Sequence, residues 1–445
     1  MLKEEIKEFK KILINNNRQD LIIDRFHQIS FDRALKILDM PEWKDDRFKH
    51  LLSPNIWRRT YEEIKEILYM PEWEDERYSE LFTSTIWHKN PSEIRSILHM
   101  DIWNNAKYKP LLKPNIFHSS KDEINEMLNI KLSDINENES SDIVIWDDSR
   151  YAHLLSPTIW QRNPDEVIRI LKNDKWKDNK FKPLLTSSIW LSNVENVERI
   201  LNLNKLSDPK FKNAIGPSIW NATAERIEDI LNMPEWNDPK YEKLLTPAIW
   251  IKEKKDIEEI LNIKYKDVFG DENPELSEKN IWDIDDYKDL LSSTIWRKKK
   301  EEVIKILRMP EWKNERFKSL LSVNIWKSSV KNIQTILNLP YWNNPDYTHL
   351  LVPSIFTLSP SNITNGIELL KEYGVDKYVT NRCLRFKTKT LRSLLEYMTT
   401  NNIPLLVESN SNVFALNPML SVDKSVLKSN YGIDINEIEY KKGGK

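Results

Sequence analysis

Apolar positions recur along this chain with a period of thirty residues, and two series of aromatic residues mark that period most clearly. The first series is Trp43, Trp73, Trp103, Trp146, Trp176, Leu206, Trp236, Trp282, Trp312 and Trp342. The second is Trp57, Trp87, Phe117, Trp160, Trp190, Trp220, Trp250, Trp296, Trp326 and Phe356. Two longer steps, of 43 and 46 residues, occur in both series. The chain is therefore a tandem repeat that polar segments interrupt twice.

Each unit contains the start signals of three short helices. Ser53-Pro54 places an N-cap residue before a proline at the first helical position, and a short helix with the Ile-Trp pair follows. In the second helix, Ile64, Ile67 and Leu68 share one face. Pro71 disfavours helix at Met70 and so ends this helix. The third helix is predicted over residues 75–82.

Such short helices gain their stability from packing against neighbouring units. The predicted fold is all-α, a solenoid of about ten to twelve three-helix repeats. We expect a capping helix over residues 1–20 and the tryptophan-rich array over 21–356. In the first unit, Phe26-His27 replaces the Ile-Trp pair. Polar insertions near 131–145 and 264–281 are expected to be solvated loops.

Divergent repeats and a C-terminal cap are expected over 357–445. Two longer helical units fit residues 358–403, and 404–416 predicts a small β-hairpin. Lys424 to Tyr431 predicts a last helix that ends at Gly432.

The tryptophans allow two interpretations. Aromatic rings at a fixed spacing are able to stack nucleic-acid bases. However, both series lie beside Ile and Leu on the apolar face and recur in nearly every unit. We therefore predict that they pack between repeats and form the core.

Composition narrows the class of protein. The formal net charge is −2, so nucleic-acid binding would need a local basic stripe. The single cysteine, Cys383, excludes an internal disulfide and fits a cytoplasmic location. The N-terminus resembles neither a secretory signal nor a transit peptide, and no membrane span is expected. We expect a monomer.

The search for catalytic chemistry finds no glycine-rich phosphate loop and no zinc-protease or hydrolase motif. His50, His153 and His349 share one repeat position, where other units carry unrelated residues, which favours a surface site over a metal site. Acidic pairs such as Glu62-Glu63 lie in the first turn of the second helix, where the helix dipole favours them. We predict no enzymatic activity, no catalytic residue, no metal and no cofactor.

The two residues after each Ile-Trp pair vary while the scaffold stays constant. The pairs are Arg58-Arg59, His88-Lys89, His118-Ser119, Gln161-Arg162, Leu191-Ser192, Asn221-Ala222, Ile251-Lys252, Arg297-Lys298, Lys327-Ser328 and Thr357-Leu358. None contains an acid. Long cations in a row would follow a phosphate backbone, and Gln161 and Asn221 would meet base edges. The alternative is that these are unconstrained surface positions, and Leu191 and Ile251 favour it.

A second basic cluster lies near the C-terminus and comprises Arg382, Arg385, Lys387, Lys389 and Arg392. It is interpreted either as a set of phosphate contacts or as a solvated face.

The repeat unit resembles that of the mitochondrial transcription termination factor (mTERF) family, with an early Leu and Pro and a second helix that opens with Ser-Pro. Residues 352–360, which read VPSIFTLSP, carry the closest match, and the resemblance extends over about residues 20–400. It implies a curved helical solenoid that binds nucleic acid, usually duplex DNA, along a concave basic face. Unlike that family, this chain is not basic overall and its units are rich in tryptophan.

Two functions follow from these observations. The first is a non-enzymatic solenoid that binds nucleic acid, with duplex DNA as the expected ligand, in a regulatory role such as transcription. The second is a scaffold that binds a peptide or protein in the solenoid groove.

Overall fold

The computed structural model describes residues 1, 3–22, 29–136, 141–409 and 413–435. This part of the chain is mostly helical and contains one small two-stranded sheet. Compact packing divides the chain into two units, Met1–Leu231 and Asn232–Lys445, which are described separately below. Within the described ranges, no helix combines the length and the apolar character needed to cross a membrane.

Each repeat is built on an α-helix of eight residues, here called the repeat helix. Asn90 and Asn163 cap two of them: each side chain accepts the N–H of the third helical residue, a Glu, and each Glu carboxylate accepts the backbone N–H of the Asn. After the helix, Met70 is extended and Pro71 starts a new turn, as expected. The repeat helices are Phe31–Leu38, Tyr61–Leu68, Pro91–Leu98, Lys121–Leu128, Pro164–Leu171, Val194–Leu201, Ala224–Leu231, Lys254–Leu261, Lys300–Leu307 and Val330–Leu337.

The Ile-Trp pair lies in a five-residue 3₁₀ helix, here called the Ile-Trp segment. Most of the preceding Ser and Thr residues do not cap it through the side chain, which corrects the expected cap. The Ser156 hydroxyl instead lies 2.7 Å from the Thr158 hydroxyl. The segments are Pro54–Arg58, Ser84–His88, Pro114–His118, Pro157–Gln161, Ser187–Leu191, Pro217–Asn221, Pro247–Ile251, Ser293–Arg297, Val323–Lys327 and Pro353–Thr357.

Two further short elements complete each repeat. The first-series aromatic residue lies in a 3₁₀ turn, in Pro41–Lys44, Pro71–Glu74, Asp101–Asn104, Ile145–Asp147, Asp174–Lys177, Asn204–Ser207, Pro234–Asn237, Ile281–Asp283, Pro310–Lys313 and Pro340–Asn343. The predicted third helix is also 3₁₀ in most repeats, at Glu76–Leu81, Lys109–Leu111, Ala152–Leu154, Lys182–Leu184, Pro209–Ala214, Pro239–Leu244, Lys288–Leu290 and Pro345–Leu350. It is an α-turn at Asp46–Lys49 and Glu315–Lys318.

Tryptophans of the first series stabilise their own repeat. The indole N–H of Trp103 donates to the carbonyl of Ile97 at 2.7 Å, in the last turn of the repeat helix. Trp312 does the same to Ile306 at 2.6 Å. Each carbonyl also accepts a backbone N–H, from Met100 and from Met309 respectively, both at 3.3 Å, so the indole adds a second and shorter hydrogen bond at the end of the repeat helix.

Tryptophans of the second series join successive repeats. Trp190 donates to the carbonyl of Leu154 in the preceding repeat at 2.8 Å, and Trp326 donates to that of Leu290 at 2.7 Å. Both side chains are fully buried. The prediction that tryptophans form the core between repeats is confirmed for the second series, and the burial of these rings leaves no face free to stack a base; in the first series Trp73, Trp176 and Trp312 are half-buried.

The two insertions share one ordered design, so the expectation of solvated loops is correct only in part: most of their described residues are exposed or half-buried, but each insertion also forms regular structure. Each begins with an isolated antiparallel bridge, between Lys131 and Val144 and between Lys264 and Asn280. A short helix follows each bridge, at Leu132–Ile135 and Tyr265–Phe269. Leu132, Ile135 and Val268 are buried. Residues 137–140 of the first insertion lie outside the described residues.

The N-terminal helix is shorter than expected. It covers Lys3–Asn15, and a 3₁₀ turn at Gln19–Leu21 follows it. Asn17 lies between them with a φ of 55°, a left-handed conformation that ends the helix. Phe9 and Leu13 are fully buried. The predicted Phe26-His27 site lies outside the described residues.

The C-terminal cap begins with two helices, Pro360–Glu372 and Thr388–Thr400, joined through 3₁₀ turns at Asp376–Tyr378 and Cys383–Arg385. The predicted hairpin is confirmed: strand Leu406–Ser409 pairs antiparallel with Val413–Leu416, with Leu406 opposite Leu416. After a turn at Pro418–Ser421, the last helix, Lys424–Tyr431, ends at Gly432 as predicted. Gly432 has a φ of 68°, which a residue without a side chain adopts most easily. The segment 436–445 of the predicted cap lies outside the described residues.

Candidate functional site

The first residue after each Ile-Trp pair ends the Ile-Trp segment and faces solvent. We call these residues the exposed row. It comprises Arg58, His88, His118, Gln161, Leu191 and Asn221 in the first unit and Ile251, Arg297, Lys327 and Thr357 in the second. All are exposed except His88, which is half-buried. Neighbouring Ile-Trp segments within a unit pack side by side, so row residues of adjacent repeats are neighbours.

Three row residues of the first unit contact each other directly. The Arg58 guanidinium donates to Nδ1 of His88 at 2.9 Å, and the rings of His88 and His118 meet edge to face with centroids 4.4 Å apart. Burial, followed by the charges of His118, Arg58 and Lys89, lowers the pKa of His88 to about 4. Burial and the same cations also lower the pKa of His118. Both imidazoles are therefore neutral near pH 7, and His88 is able to accept the hydrogen bond.

The second residue after each Ile-Trp pair is buried or half-buried, and in several repeats its side chain bonds to the next repeat. Arg59 Nε donates to the carbonyl of Trp87 at 3.0 Å, and Arg162 Nε donates to that of Trp190 at 2.9 Å. Only about a sixth of each arginine side chain is exposed. These arginines therefore join repeats, because they supply a donor to a carbonyl at the end of the next Ile-Trp segment.

In the second unit, lysines at the same position make the equivalent hydrogen bonds to the next repeat. Lys252 Nζ donates to the carbonyl of Lys298 at 2.8 Å, and Lys298 Nζ donates to that of Ser328 at 2.6 Å. Both residues are more than nine-tenths buried. Burial lowers the pKa of Lys298, since it disfavours the charged ammonium.

At Ser192 a different side chain makes the contact between repeats. Ser192 is too short to reach the next repeat, and Asn196 donates to both the Ser192 hydroxyl, at 2.7 Å, and the carbonyl of Ala222, at 2.9 Å. Its carbonyl oxygen accepts the N–H of Ala224 at 2.7 Å. A hydrogen bond to a carbonyl of the next repeat is therefore kept here, although a different residue donates it.

These contacts correct the prediction for five of the site residues. Arg59, Lys89, Arg162, Lys252 and Lys298 were expected to face a ligand, but they are largely buried. Lys89 approaches Glu93 of its own repeat at 4.0 Å, and the other four bond to the next repeat. An acid at this position would be unable to make the bond that Arg59, Arg162, Lys252 and Lys298 make, because a carboxylate has no hydrogen to donate to a carbonyl.

In the first unit, repeat helices of adjacent repeats form ion pairs with each other, and these pairs neutralise several of their charges. Arg95 contacts Glu66 at 2.7 Å, and Arg169 contacts Glu198 at 2.6 Å. Arg199 pairs with Glu225 in the same way. Positive charge therefore does not spread from the exposed row onto these helices.

A shallow cavity of about 440 Å³ opens beside two row residues of the first unit, Leu191 and Asn221. Its lining also includes Glu195, Arg199 and Glu225. Leu191 is 42% exposed. The surface here is mixed in character, with apolar, amide and oppositely charged groups.

The second unit contains a different cavity, here called the basic cleft. It has a volume of about 600 Å³ and is lined by Arg382, Arg385, Phe386, Lys387, Thr390, Ser421, Val422, Asp423, Lys424 and Val426. Three members of the predicted C-terminal basic cluster therefore share one cavity. Lys389 does not line it, and Arg392 is held by Glu372 at 2.9 Å. Lys424, which lies 37 residues or more along the chain from Arg382, Arg385 and Lys387, is brought to them by the fold.

The remaining candidate residues take structural positions. His50, His153 and His349 each place Nε2 near a backbone carbonyl of the following segment, at 3.0, 2.8 and 2.6 Å. No cluster of three metal-ligating side chains is found among the described residues. Cys383 is fully buried, and burial raises the pKa of its thiol to about 12, so it is not a reactive thiolate.

No family model, curated protein or solved structure matches the chain. Any functional assignment therefore depends on the two surfaces just described, the exposed row and the basic cleft.

Proposed function

We propose that the chain is a non-enzymatic helical solenoid that binds nucleic acid, with duplex DNA as the preferred ligand. One observation carries the proposal. The exposed cations Arg297, Lys327, Arg382, Arg385 and Lys387 of the second unit form no ion pair within the described part of the chain. Acids and bases are nearly equal in number in the whole chain, but these five cations have no acidic partner among the residues that the structure describes. Their positive charge is therefore available to phosphates.

In this proposal the exposed row, whose residues differ from repeat to repeat, makes the contacts that depend on the nucleic-acid sequence. Gln161 and Asn221 present amide groups that suit base edges, while Arg58 and Lys327 suit phosphates. The resemblance of the repeat to the mTERF family adds support for nucleic acid and for a role in regulating transcription. In this proposal the protein acts as a cytoplasmic monomer without a cofactor.

A protein-interaction scaffold is the second candidate, and one observation favours it. Leu191 is 42% exposed and Ile251 is 54% exposed, both in the exposed row. Apolar side chains contribute little to phosphate contacts but are common at the core of protein interfaces. A peptide or protein ligand would bind these positions with little dependence on salt.

The direct test is fluorescence polarisation at low salt with labelled duplex DNA, single-stranded DNA and RNA pools. The double variant Arg297→Glu/Lys327→Glu should weaken binding at least tenfold, because each reversal replaces a phosphate contact with repulsion. The matched control is Lys305→Glu/Lys313→Glu, which makes the same charge change at exposed lysines outside the row.

Three results are informative. Preferential loss in the row variant supports the proposal. Equal loss in both variants means that binding follows net charge alone and contradicts the role of the row. Absence of binding to all pools rejects nucleic acid, and Leu191→Ser/Ile251→Ser in affinity capture then tests the scaffold.

A further inference from the structure

The basic cleft collects positive charge from two separate parts of the C-terminal cap. Arg382, Arg385 and Lys387 lie between the two cap helices, whereas Lys424 begins the last helix. Asp423 is the single carboxylate in the lining. None of the four cations forms an ion pair with any residue that the structure describes. Four like charges around one cavity repel each other, and an anion in the cavity removes that repulsion.

The backbone at the cleft also favours an anion. Helix Thr388–Thr400 starts after Lys387, and helix Lys424–Tyr431 starts after Asp423. Neither preceding residue caps its helix through a side-chain hydrogen bond. The first N–H groups of both helices therefore add to the field of the four side chains.

Arginine is the side chain best suited to phosphate, because its planar guanidinium donates two parallel hydrogen bonds. Arg382 and Arg385 both line the basic cleft, and both are exposed. The Ser421 hydroxyl adds a neutral donor to the lining. This combination fits a phosphoryl group better than a carboxylate, which offers fewer acceptor oxygens.

Three further residues of the lining are apolar and offer a surface for a flat ring. Phe386 is half-buried and lies between Arg385 and Lys387, and Val422 and Val426 contribute aliphatic surface. An aromatic face next to cations is the arrangement by which proteins stack a base while holding its phosphate. The volume of about 600 Å³ lies within the range typical of sites for small molecules.

We propose that the basic cleft binds a nucleoside phosphate, either as a free nucleotide or as the phosphorylated end of a nucleic-acid strand. Arg382, Arg385, Lys387 and Lys424 hold the phosphate, and the base lies against Phe386. This site is separate from the exposed row and does not require that the row bind nucleic acid.

The first experiment is isothermal titration calorimetry of the full chain with AMP, adenosine and inorganic phosphate at physiological salt. AMP should bind at least tenfold more tightly than either fragment, because it alone engages both the cations and the ring. Adenosine binding as tightly as AMP would overturn the phosphate contact. Inorganic phosphate binding as tightly as AMP would overturn the base contact.

Variants locate the site. Arg385→Ala and Lys387→Ala should each weaken AMP binding about tenfold or more, since each removes a charged hydrogen bond. Lys377→Ala is the matched control, an exposed lysine of the same cap that does not line the cleft, and it should change AMP affinity less than about twofold. Phe386→Leu should weaken AMP but leave inorganic phosphate unchanged. Equal losses in Lys387→Ala and Lys377→Ala would place binding elsewhere.

The source of the phosphate is resolved with oligonucleotides. Preference for a 5′-phosphorylated over a 5′-hydroxyl single strand, lost in Arg385→Ala, identifies a strand end. AMP binding without that preference identifies a free nucleotide, and failure of both ligands overturns the proposal. Arg297→Glu/Lys327→Glu should retain AMP binding, so failure of the row and failure of the cleft are distinguishable.

Discussion

Arg162 donates a hydrogen bond from Nε to the backbone carbonyl of Trp190, 2.9 Å away in the next repeat. The same guanidinium lies 3.5 Å from Glu166, whose carboxylate accepts the backbone N–H of Asn163, the N-cap of the repeat helix. One arginine therefore connects the cap of one repeat to the Ile-Trp segment of the next. The absence of acids at this position suggests ligand binding when the sequence is considered alone. At Arg162, however, the side chain bonds one repeat to the next.

Replacing this arginine should destabilise the fold. Arg162→Ala leaves the Trp190 carbonyl without its donor and Glu166 without its cation, and should cost about 1–3 kcal/mol in the free energy of unfolding. Urea denaturation followed by tryptophan fluorescence measures the loss. Gln161→Ala is the control, since Gln161 is the exposed neighbour in the row.

A stable Arg162→Ala variant with weakened nucleic-acid binding would contradict this assignment. It would mean that the guanidinium leaves the Trp190 carbonyl to contact a ligand. The expected result is the reverse, with Gln161→Ala affecting binding and Arg162→Ala affecting stability.

The second prediction separates the packing of a core tryptophan from its hydrogen bond. Trp160 is 2% exposed and donates to the carbonyl of Leu111 at 2.9 Å. Trp160→Ala should cost about 3–5 kcal/mol through the cavity it creates. Trp160→Phe should cost only about 1–3 kcal/mol, because it keeps most of the ring but removes the donor.

Phe117 and Phe356 occupy this position in other repeats and are buried there, so the scaffold accepts a phenylalanine. Thermal unfolding of the two variants gives the comparison. If Trp160→Ala remained as stable as the wild type and lost only ligand affinity, the rings would have to be binding residues.

The repeat, the hairpin and the last helix were predictable because each depends on local pattern. Trp spacing sets the register, and the apolar segments around 409–412 predict strands Leu406–Ser409 and Val413–Leu416. The 3₁₀ form of the Ile-Trp segments was not predictable, since a five-residue element satisfies the same apolar spacing as one turn of α-helix. Its hydrogen bonds, such as Ile159 N–H to the Ser156 carbonyl, span three residues.

The candidate site was only partly predictable for a different reason. Arg162 and Arg297 are both cations next to an Ile-Trp pair, but one faces a carbonyl and the other faces solvent. Long side chains reach either environment, so residue type alone does not decide between them. The basic cleft depends on the approach of Lys424 to Arg382 and Arg385, a tertiary relationship that no spacing in the sequence reveals.

The third prediction concerns the second insertion, which is anchored to the following repeat. Arg308 donates to the carbonyls of Val268 at 2.6 Å and Asp267 at 2.7 Å. Arg308→Ala should lower the free energy of unfolding by about 1–3 kcal/mol and increase amide exchange in 264–281. Glu272→Ala, an exposed change on the same insertion, should leave both unchanged. Equal exchange in Arg308→Ala and the wild type would show that the insertion folds without this anchor.

The fourth prediction is a pH dependence of stability that comes from His88. In the folded protein its pKa is lowered to about 4 from the ordinary 6.5, mainly by burial. The unfolded chain therefore binds a proton at a higher pH than the folded chain does. The His88 contribution to stability is fully present above about pH 6.5 and is lost as the pH falls towards 4.

His88→Gln removes this titration and should flatten the dependence of the urea midpoint on pH between about 7 and 4.5. Gln161→Ala changes an equivalent row position without removing a titrating group and should keep the wild-type dependence. After burial, the Arg58 contact also opposes protonation, because protonated His88 would lose Nδ1 as an acceptor and place a charged N–H 2.9 Å from that guanidinium. Identical pH profiles for the wild type and His88→Gln would show that His88 is solvated and that the Arg58–His88 contact does not hold in solution.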